Sequence, residues 1–162
     1  MPNRILAFLI CLPIAGAIGF AAGRATSNIG TISRVESPKG GAHLRVDRDF
    51  SLGPPEQRLI LSTGGEEIEL RTFDEQSGAP GEIVWAPDGS LAGVLVNGTK
   101  LVVIDVPAKR IIYELPLIEK LDGSRFARGV GFSANAVAIT FDDCPRSAAG
   151  CKPQFRALPS RQ

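Results

Sequence analysis

The chain has 162 residues, with 18 basic and 17 acidic side chains and a net charge of +1. A nearly neutral chain has no overall field that would draw it to nucleic acid, and one Trp and one Tyr beside eight Phe offer no base-stacking platform. We therefore predict no nucleic-acid partner. Hydrophobic residues make up 44% of the chain, which argues against disorder, and 18 Gly with 12 Pro indicate frequent turns between short apolar segments. This composition favours a single all-β domain.

An uncharged apolar segment lies at the N-terminus, where residues 5–23 carry no charge between Arg4 and Arg24. An early positive charge, an apolar centre and small residues at the far end are the parts of a secretory signal. The same segment is also long enough to cross about 30 Å of hydrocarbon. We predict an apolar helix at 1–24, either a cleaved signal peptide or a transmembrane anchor, and a linker at 25–34. Both alternatives place the rest of the chain outside the cytoplasm, in the periplasm or the extracellular space.

Two cysteines enclose a short loop near the C-terminus. Cys144 and Cys151 are separated by turn-forming residues, and in an oxidising compartment such a pair forms a disulfide that holds a loop. Closing so short a loop contributes about 2 kcal/mol on the chain-entropy model. Free thiols and a metal site are the alternatives. The spacing does not match a zinc knuckle, and the only histidine, His43, is distant in sequence.

A turn followed by an apolar strand recurs along the chain. A period of about 40 to 50 residues with such a unit in each copy indicates a repeat architecture. The three copies have their turns at 35–41, 84–90 and 131–135, and their apolar strands at 42–46, 91–96 and 136–141.

The second copy has the clearest turn chemistry. Pro87 presets φ at the first corner, and the Asp-Gly pair that follows it reverses the chain. An Asn-Gly pair further on is a strong hairpin signal. Residues 82–115 thereby contain four short antiparallel strands, which is the content of one propeller blade. The residues with these structural roles are Trp85, Pro87, Asp88, Gly89, Asn97 and Gly98.

Residues 82–115 resemble one blade of a TolB-like or WD-repeat-like β-propeller. The first turn of these blades commonly reads aromatic-Ser-Pro-Asp-Gly, and here it reads Trp-Ala-Pro-Asp-Gly at 85–89. The flanking copies are degenerate, with Glu36 in the aromatic position and Ala-Asn at 134–135. The family's continuation, Asn-Gly…Leu-x-Val-x-Asp, matches Asn97, Gly98, Leu101, Val103 and Asp105.

The resemblance implies an all-β domain of two to three propeller-like antiparallel blades at 35–162, which serves as a binding scaffold. Propellers usually need at least four blades to close. We therefore expect an open stack of sheets, completion by self-association, or a partner that covers the open edges.

No motif for catalysis or cofactor binding stands out. His43 lies in a predicted strand, and no Gly-x-Ser-x-Gly elbow is present. Asp142 and Asp143 are adjacent in a strand and would point to opposite faces. The glycine pairs at 40–41 and 64–65 lead into strands, unlike phosphate-binding loops. We predict no catalytic residue, no cofactor and no metal.

These observations favour a non-catalytic protein-interaction module that works outside the cytoplasm. Its expected partner is another envelope or secreted protein, with membrane contact through residues 5–23 if these are not cleaved. The candidate partner-binding residues are Arg125, Arg128 and Arg146, in the loops at 122–128 and 144–151. The alternatives are an envelope-structural factor that forms homo-oligomers, and an enzyme or metal protein with an unrecognised site.

Overall fold

The computed structural model describes residues 29–51, 56–74, 76–119, 123–147 and 150–160. Within these ranges the chain forms eleven β-strands, and no helix there is long and apolar enough to span a membrane. The predicted all-β class is confirmed, while the predicted helix at 1–24 lies outside the described residues. The strands are β1 (Ile29–Glu36), β2 (Ala42–Asp49), β3 (Gln57–Thr63), β4 (Glu66–Phe73), β5 (Pro80–Trp85), β6 (Leu91–Val96), β7 (Lys100–Asp105), β8 (Arg110–Pro116), β9 (Arg125–Phe132), β10 (Ala138–Pro145) and β11 (Lys152–Ala157).

The strands form three antiparallel sheets in chain order. Sheet 1 has the order β1-β2-β3-β4, sheet 2 the order β5-β6-β7-β8, and sheet 3 the order β9-β10-β11. The first strands of successive sheets are neighbours, since β1 contacts β5 and β5 contacts β9. In a β-propeller, each blade is typically a four-stranded meander, and the first strands of neighbouring blades lie side by side. The three sheets have this arrangement, with three strands in sheet 3. The predicted propeller-like blades are therefore present.

The first strand begins earlier than the sequence pattern indicates. β1 starts at Ile29, which lies opposite Asp49 of β2 in the register. Residues 29–34, which we assigned to a linker, therefore belong to sheet 1. Their small polar composition resembles that of a linker, but cross-strand pairing with β2 satisfies their backbone groups.

The predicted repeat exists as three copies of one turn geometry. In each copy the N–H of the fourth turn residue donates to the carbonyl of the first at 2.8–2.9 Å, and the N–H of the first donates to the carbonyl five residues later at 2.9 Å. The copies span 37–42, 86–91 and 133–138. The fourth residue has a left-handed φ in every copy: 72° at Gly40, 70° at Gly89 and 54° at Ala136. The third turn therefore has the same backbone geometry as the second, although it lacks the Asp-Gly pair.

Sheet 2 is the central layer and is buried on both faces. Every residue of β6 is buried, and so are the four middle residues of β7. Because side chains alternate along a strand, Val94 and Ile104 pack toward sheet 1, whereas Leu95 and Leu101 pack toward sheet 3. Two hydrophobic cores result, one at each junction between sheets. This double coverage explains why β6 is apolar at consecutive positions.

The turn at 86–89 also joins sheet 2 to sheet 1. A Cβ at Gly89 would lie 2.8 Å from Ser37 Oγ, in the equivalent turn of sheet 1. We expect Gly89→Ala to lower the free energy of unfolding by about 2 kcal/mol, because a left-handed residue other than glycine costs roughly 1–2 kcal/mol and the two turns must also separate. Gly64→Ala is the control, since Gly64 has a similar φ of +60° but nothing within 4 Å of its added Cβ. Equal losses for the two variants in urea unfolding would refute the turn contact.

Candidate functional site

The structure contains the predicted disulfide. Cys144, in β10, is bonded to Cys151, which directly precedes β11, and their Cα atoms are 4.2 Å apart. Cys144 is buried, with 1% of its surface exposed. Arg146 follows it by two residues, and the backbone N–H of Arg146 donates to the carbonyl of Ser124 at 2.9 Å. The disulfide loop is therefore attached to the connection between β8 and β9.

Three connections meet at one end of sheets 2 and 3: the β6–β7 hairpin, the β8–β9 connection and the disulfide loop. Between them lies an open groove of about 480 Å³. It is lined by Asn97, Thr99, Gly123, Arg125 and Arg146. We call these five residues the arginine groove.

The β6–β7 hairpin forms one wall of the arginine groove and is bound on three sides. Asn97 adopts a left-handed φ of 53°, and its side-chain oxygen accepts the backbone N–H of Ala79 at 2.8 Å. The Gly98 carbonyl accepts the N–H of Ala127 in β9 at 2.6 Å. The Thr99 carbonyl accepts two N–H groups of the segment that follows β8, at 2.8 and 3.1 Å. The Asn-Gly pair therefore does more than reverse the chain, since it anchors the segments on both sides of sheet 2.

Arg125 is held in place by sheet 3 itself. Its Nε donates to Asp143 Oδ1 at 2.7 Å, and one terminal nitrogen approaches the Asp143 carbonyl at 3.4 Å. Both residues are partly buried, with side-chain exposures of 33% and 22%. A guanidinium has five N–H donors in a fixed plane, so the contacts with Asp143 fix the orientation of that plane. Arg125 is thus a preorganised cation in the wall of the groove.

Arg146 contributes the second cation. Its side chain is exposed, and within the described ranges it forms no ion pair. Arg125 is ion-paired with Asp143, so the net positive charge of the groove comes from Arg146. A guanidinium suits carboxylates and phosphates because it can donate two parallel hydrogen bonds. The arginine groove can therefore bind an anionic group, with the Thr99 side chain and the Gly123 loop beside it.

The third predicted arginine lies elsewhere. Arg128 is opposite Asp142 in the β9–β10 register, whereas Ala127 is opposite Asp143 and packs in the core toward sheet 2. Because neighbouring residues in a strand alternate between faces, Arg128 lies on the outer face of sheet 3. Asp142 and Asp143 likewise lie on opposite faces and do not form one site.

The predicted residues of the turn at 85–89 lie away from the groove, whereas the predicted hairpin residue Asn97 lines it. Trp85 packs against the core between sheets 1 and 2, and its Nε1 donates to the Val35 carbonyl at 3.2 Å. Asp88 lies in the β5–β6 turn, at the opposite end of β6 from the arginine groove. The backbone N–H and hydroxyl of Ser90 hydrogen-bond its carboxylate and hold the pKa of Asp88 below its usual value. These contacts stabilise the turn.

His43 lies in β2 on the polar face of sheet 1. Its Nδ1 is 3.4 Å from Arg34 and 3.9 Å from a carboxylate oxygen of Glu36. On the same face Arg45 forms ion pairs with Asp47 and Glu67, and these keep the pKa of Glu67 low. Over the described residues, no group of three or more His, Cys, Asp or Glu side chains could hold a metal ion.

Sequence reasoning named Arg125 and Arg146 but not the site that they share. Asn97 is predicted only as a turn residue, Gly123 falls in the predicted partner-binding loop at 122–128, and Thr99 has no predicted role. Their position in the groove depends on how the β6–β7 hairpin contacts β9. No local sequence pattern predicts that contact. The arginines at 125 and 146 were a partial signal, because they indicated a binding surface near the β8–β9 connection and the disulfide loop.

Comparisons with known proteins agree on the fold. No protein-family model matches the chain, and no curated protein matches it in sequence. Two similar solved structures are an oligogalacturonate lyase in complex with manganese (TM-score 0.55, 14% identity) and an oligogalacturonate lyase from Vibrio parahaemolyticus (TM-score 0.52, 16% identity). Each match covers 82% of this chain and 36% of the other. The chain therefore shares the fold of about a third of each lyase.

This finding corrects our main functional prediction. A non-catalytic interaction module was expected because no catalytic motif was found, yet the two similar structures are enzymes. The alternative of an enzyme with an unrecognised site agrees better with them. A motif search fails on such folds because functional residues lie on loops of different blades, far apart in sequence. That the chain has no catalytic residue stays a prediction.

Proposed function

We propose that this chain acts on acidic oligosaccharides and binds a uronate carboxylate in the arginine groove. The observation that carries the proposal is the convergence of Arg125 and Arg146 on one concave site. The similar structures are named for oligogalacturonate, whose sugar units each carry a carboxylate. A single guanidinium can donate two parallel hydrogen bonds to such a carboxylate.

The proposed reaction class is elimination, as in the lyases that share the fold. Elimination from a uronide transfers the proton at C5, α to the carboxylate, to a base, forms the C4=C5 double bond and breaks the C4–O glycosidic bond, whose oxygen leaves with a proton from water as an alcohol. The C5 proton becomes more acidic when the carboxylate is neutralised. Arg146 fits this neutralising role, because fixed donors next to developing negative charge stabilise a transition state. Asp143 would act through Arg125 by holding its guanidinium plane.

We also propose that the three sheets are blades of the TolB-like or WD-repeat-like kind and that the chain works outside the cytoplasm. The turn signature at 85–89 supports the first proposal. The disulfide supports the second, because disulfides persist in oxidising compartments. Residues 5–23 would act as a signal peptide or an anchor.

Calorimetric titration of the full chain with trigalacturonate tests the binding proposal. We expect Arg146→Met to weaken binding about tenfold or more, equivalent to about 1.4 kcal/mol, because a charge-assisted pair is lost. Arg128→Met is the matched control, since it removes an exposed arginine from the outer face of the same sheet, and it should leave affinity unchanged. A neutral galactose trisaccharide should bind far more weakly than trigalacturonate. Equal affinity for the two sugars, or equal effects of the two variants, would refute the proposal.

An absorbance assay tests the catalytic part separately. Elimination produces an unsaturated uronide, so ultraviolet absorbance should rise when the full chain is incubated with trigalacturonate, with or without Mn²⁺. The rate should fall in Arg146→Met and not in Arg128→Met. Binding without any rise in absorbance would contradict the elimination reaction and leave carboxylate recognition standing.

A further inference from the structure

We propose that the Cys144–Cys151 disulfide is a positioning element of the arginine groove, which holds Arg146 where its guanidinium can reach a bound anion. The identity of that anion as a uronate carboxylate rests on the proposed function. The positioning role itself rests on how the loop is attached to the fold.

The disulfide loop begins where β10 ends, at Pro145. Cys144 is buried in β10, next to Asp143, which orients Arg125. The strands β10 and β11 pair from Ala138–Ala157 to Asp143–Lys152, and the pairing stops there. Cys144 and Cys151 lie just beyond this last pair. The disulfide therefore links β10 and β11 covalently at the point where their backbone hydrogen bonds end. It closes the loop on which Arg146 lies.

Arg146 directly follows Pro145, which pairs with Arg125 at the end of the β9–β10 ladder. Its backbone N–H contacts Ser124 at 2.9 Å, and its exposed side chain forms no ion pair with any described residue. The position of its guanidinium therefore depends on the loop backbone. Opening the disulfide adds loop conformations that do not present Arg146 to the groove, and binding must then restrict them at a cost in affinity.

Arg125 differs in this respect. Its position is determined by the Asp143 contact and by its place in β9, neither of which needs the disulfide. Loss of the disulfide should consequently weaken anion binding through Arg146 alone.

The test is a double-mutant cycle on the full chain, with trigalacturonate as the probe. Cys151→Ser removes the disulfide and leaves the buried Cys144 in place. We expect it to weaken binding about fivefold or more in the wild-type background and in Arg128→Met, and to have no further effect in Arg146→Met. A loss that persists in Arg146→Met, or no loss in the wild-type background, would overturn the positioning role. Circular dichroism verifies that each variant is folded.

A readout without ligand separates this inference from the proposed function. Trypsin cleaves after Arg146, and limited proteolysis measures how readily the loop opens. We expect cleavage after Arg146 to be several-fold faster in Cys151→Ser than in the wild type, while cleavage after Lys109, in the distant β7–β8 turn, keeps its rate. Unchanged cleavage at Arg146 refutes the positioning role even if no sugar binds. Faster cleavage with no sugar binding supports it and refutes the proposed ligand.

Discussion

Replacing Leu101 with alanine is expected to lower the free energy of unfolding by about 3 kcal/mol, within the range for buried leucines. Leu101 has no exposed surface and lies in the core between sheets 2 and 3. Its Cδ1 would be 3.1 Å from a Cβ at Gly93, so the leucine occupies the space that this glycine leaves on β6. Truncation removes the side chain that packs on Gly93 and leaves a cavity in the core.

Urea unfolding of the full chain measures the effect. Ile104→Ala is the companion variant, since Ile104 is equally buried but faces sheet 1. A similar loss in both variants is expected because sheet 2 is covered on both faces. Val137→Ala is the surface control, with 56% of the side chain exposed and an expected loss below about 0.5 kcal/mol. A loss below about 1 kcal/mol at Leu101 would contradict a central position for sheet 2.

Gly78→Ala is expected to destabilise the protein by about 3 kcal/mol through the hairpin wall of the arginine groove. Gly78 has a φ of +91°, and an added Cβ would lie 2.1 Å from the Asn97 side-chain nitrogen and 2.6 Å from its Cγ. The Asn97 side chain would have to leave, and the N–H of Ala79 would lose its acceptor. Backbone strain contributes roughly 1–2 kcal/mol and the lost hydrogen bond about 1 kcal/mol.

A second variant isolates the steric contact. Asn97→Ala removes the same hydrogen bond without a clash, and we expect a loss of about 1–2 kcal/mol, because alanine also tolerates the left-handed φ of 53° less well than asparagine does. The double variant should be less destabilised than the sum of the two single variants, because the side chain that Gly78→Ala displaces is already absent. Strict additivity in urea unfolding would show that Gly78 and Asn97 do not interact in the way that the structure indicates.

Salt bridges from β4 also connect sheet 1 to sheet 2. Glu114 of β8 pairs with Arg71 of β4 and with Lys100, and hydrogen bonds from Lys100 and Arg71 hold the pKa of Glu114 below its usual value. Glu66 of β4 pairs with Lys109 in the β7–β8 turn. These contacts are exposed and weak individually, so the two hydrophobic cores carry most of the inter-sheet stability.

Local chemistry in the sequence determined the turns, the disulfide and the strands of sheet 2, whereas residues 125–128, assigned to a loop, belong to β9. β6 has the predicted bounds, 91–96, because an apolar run between an Asp-Gly turn and an Asn-Gly hairpin specifies its own limits. The third turn, at 133–136, was found although it lacks that signature, because the spacing along the chain preserves the repeat. The strand at 29–36 was missed in part, since its polar residues resemble a linker and its strand character comes only from pairing with β2.

Only the tertiary structure decided which loops meet and which faces are covered. Arg125 and Arg146 share a groove because the β9–β10 register places Pro145 opposite Arg125. Arg128 is three residues from Arg125 but lies on the other face of the sheet. Side-chain alternation and turn chemistry act over a few residues and can be read locally. The packing of one sheet on the next arises from contacts between segments distant in sequence, and therefore has no local signature.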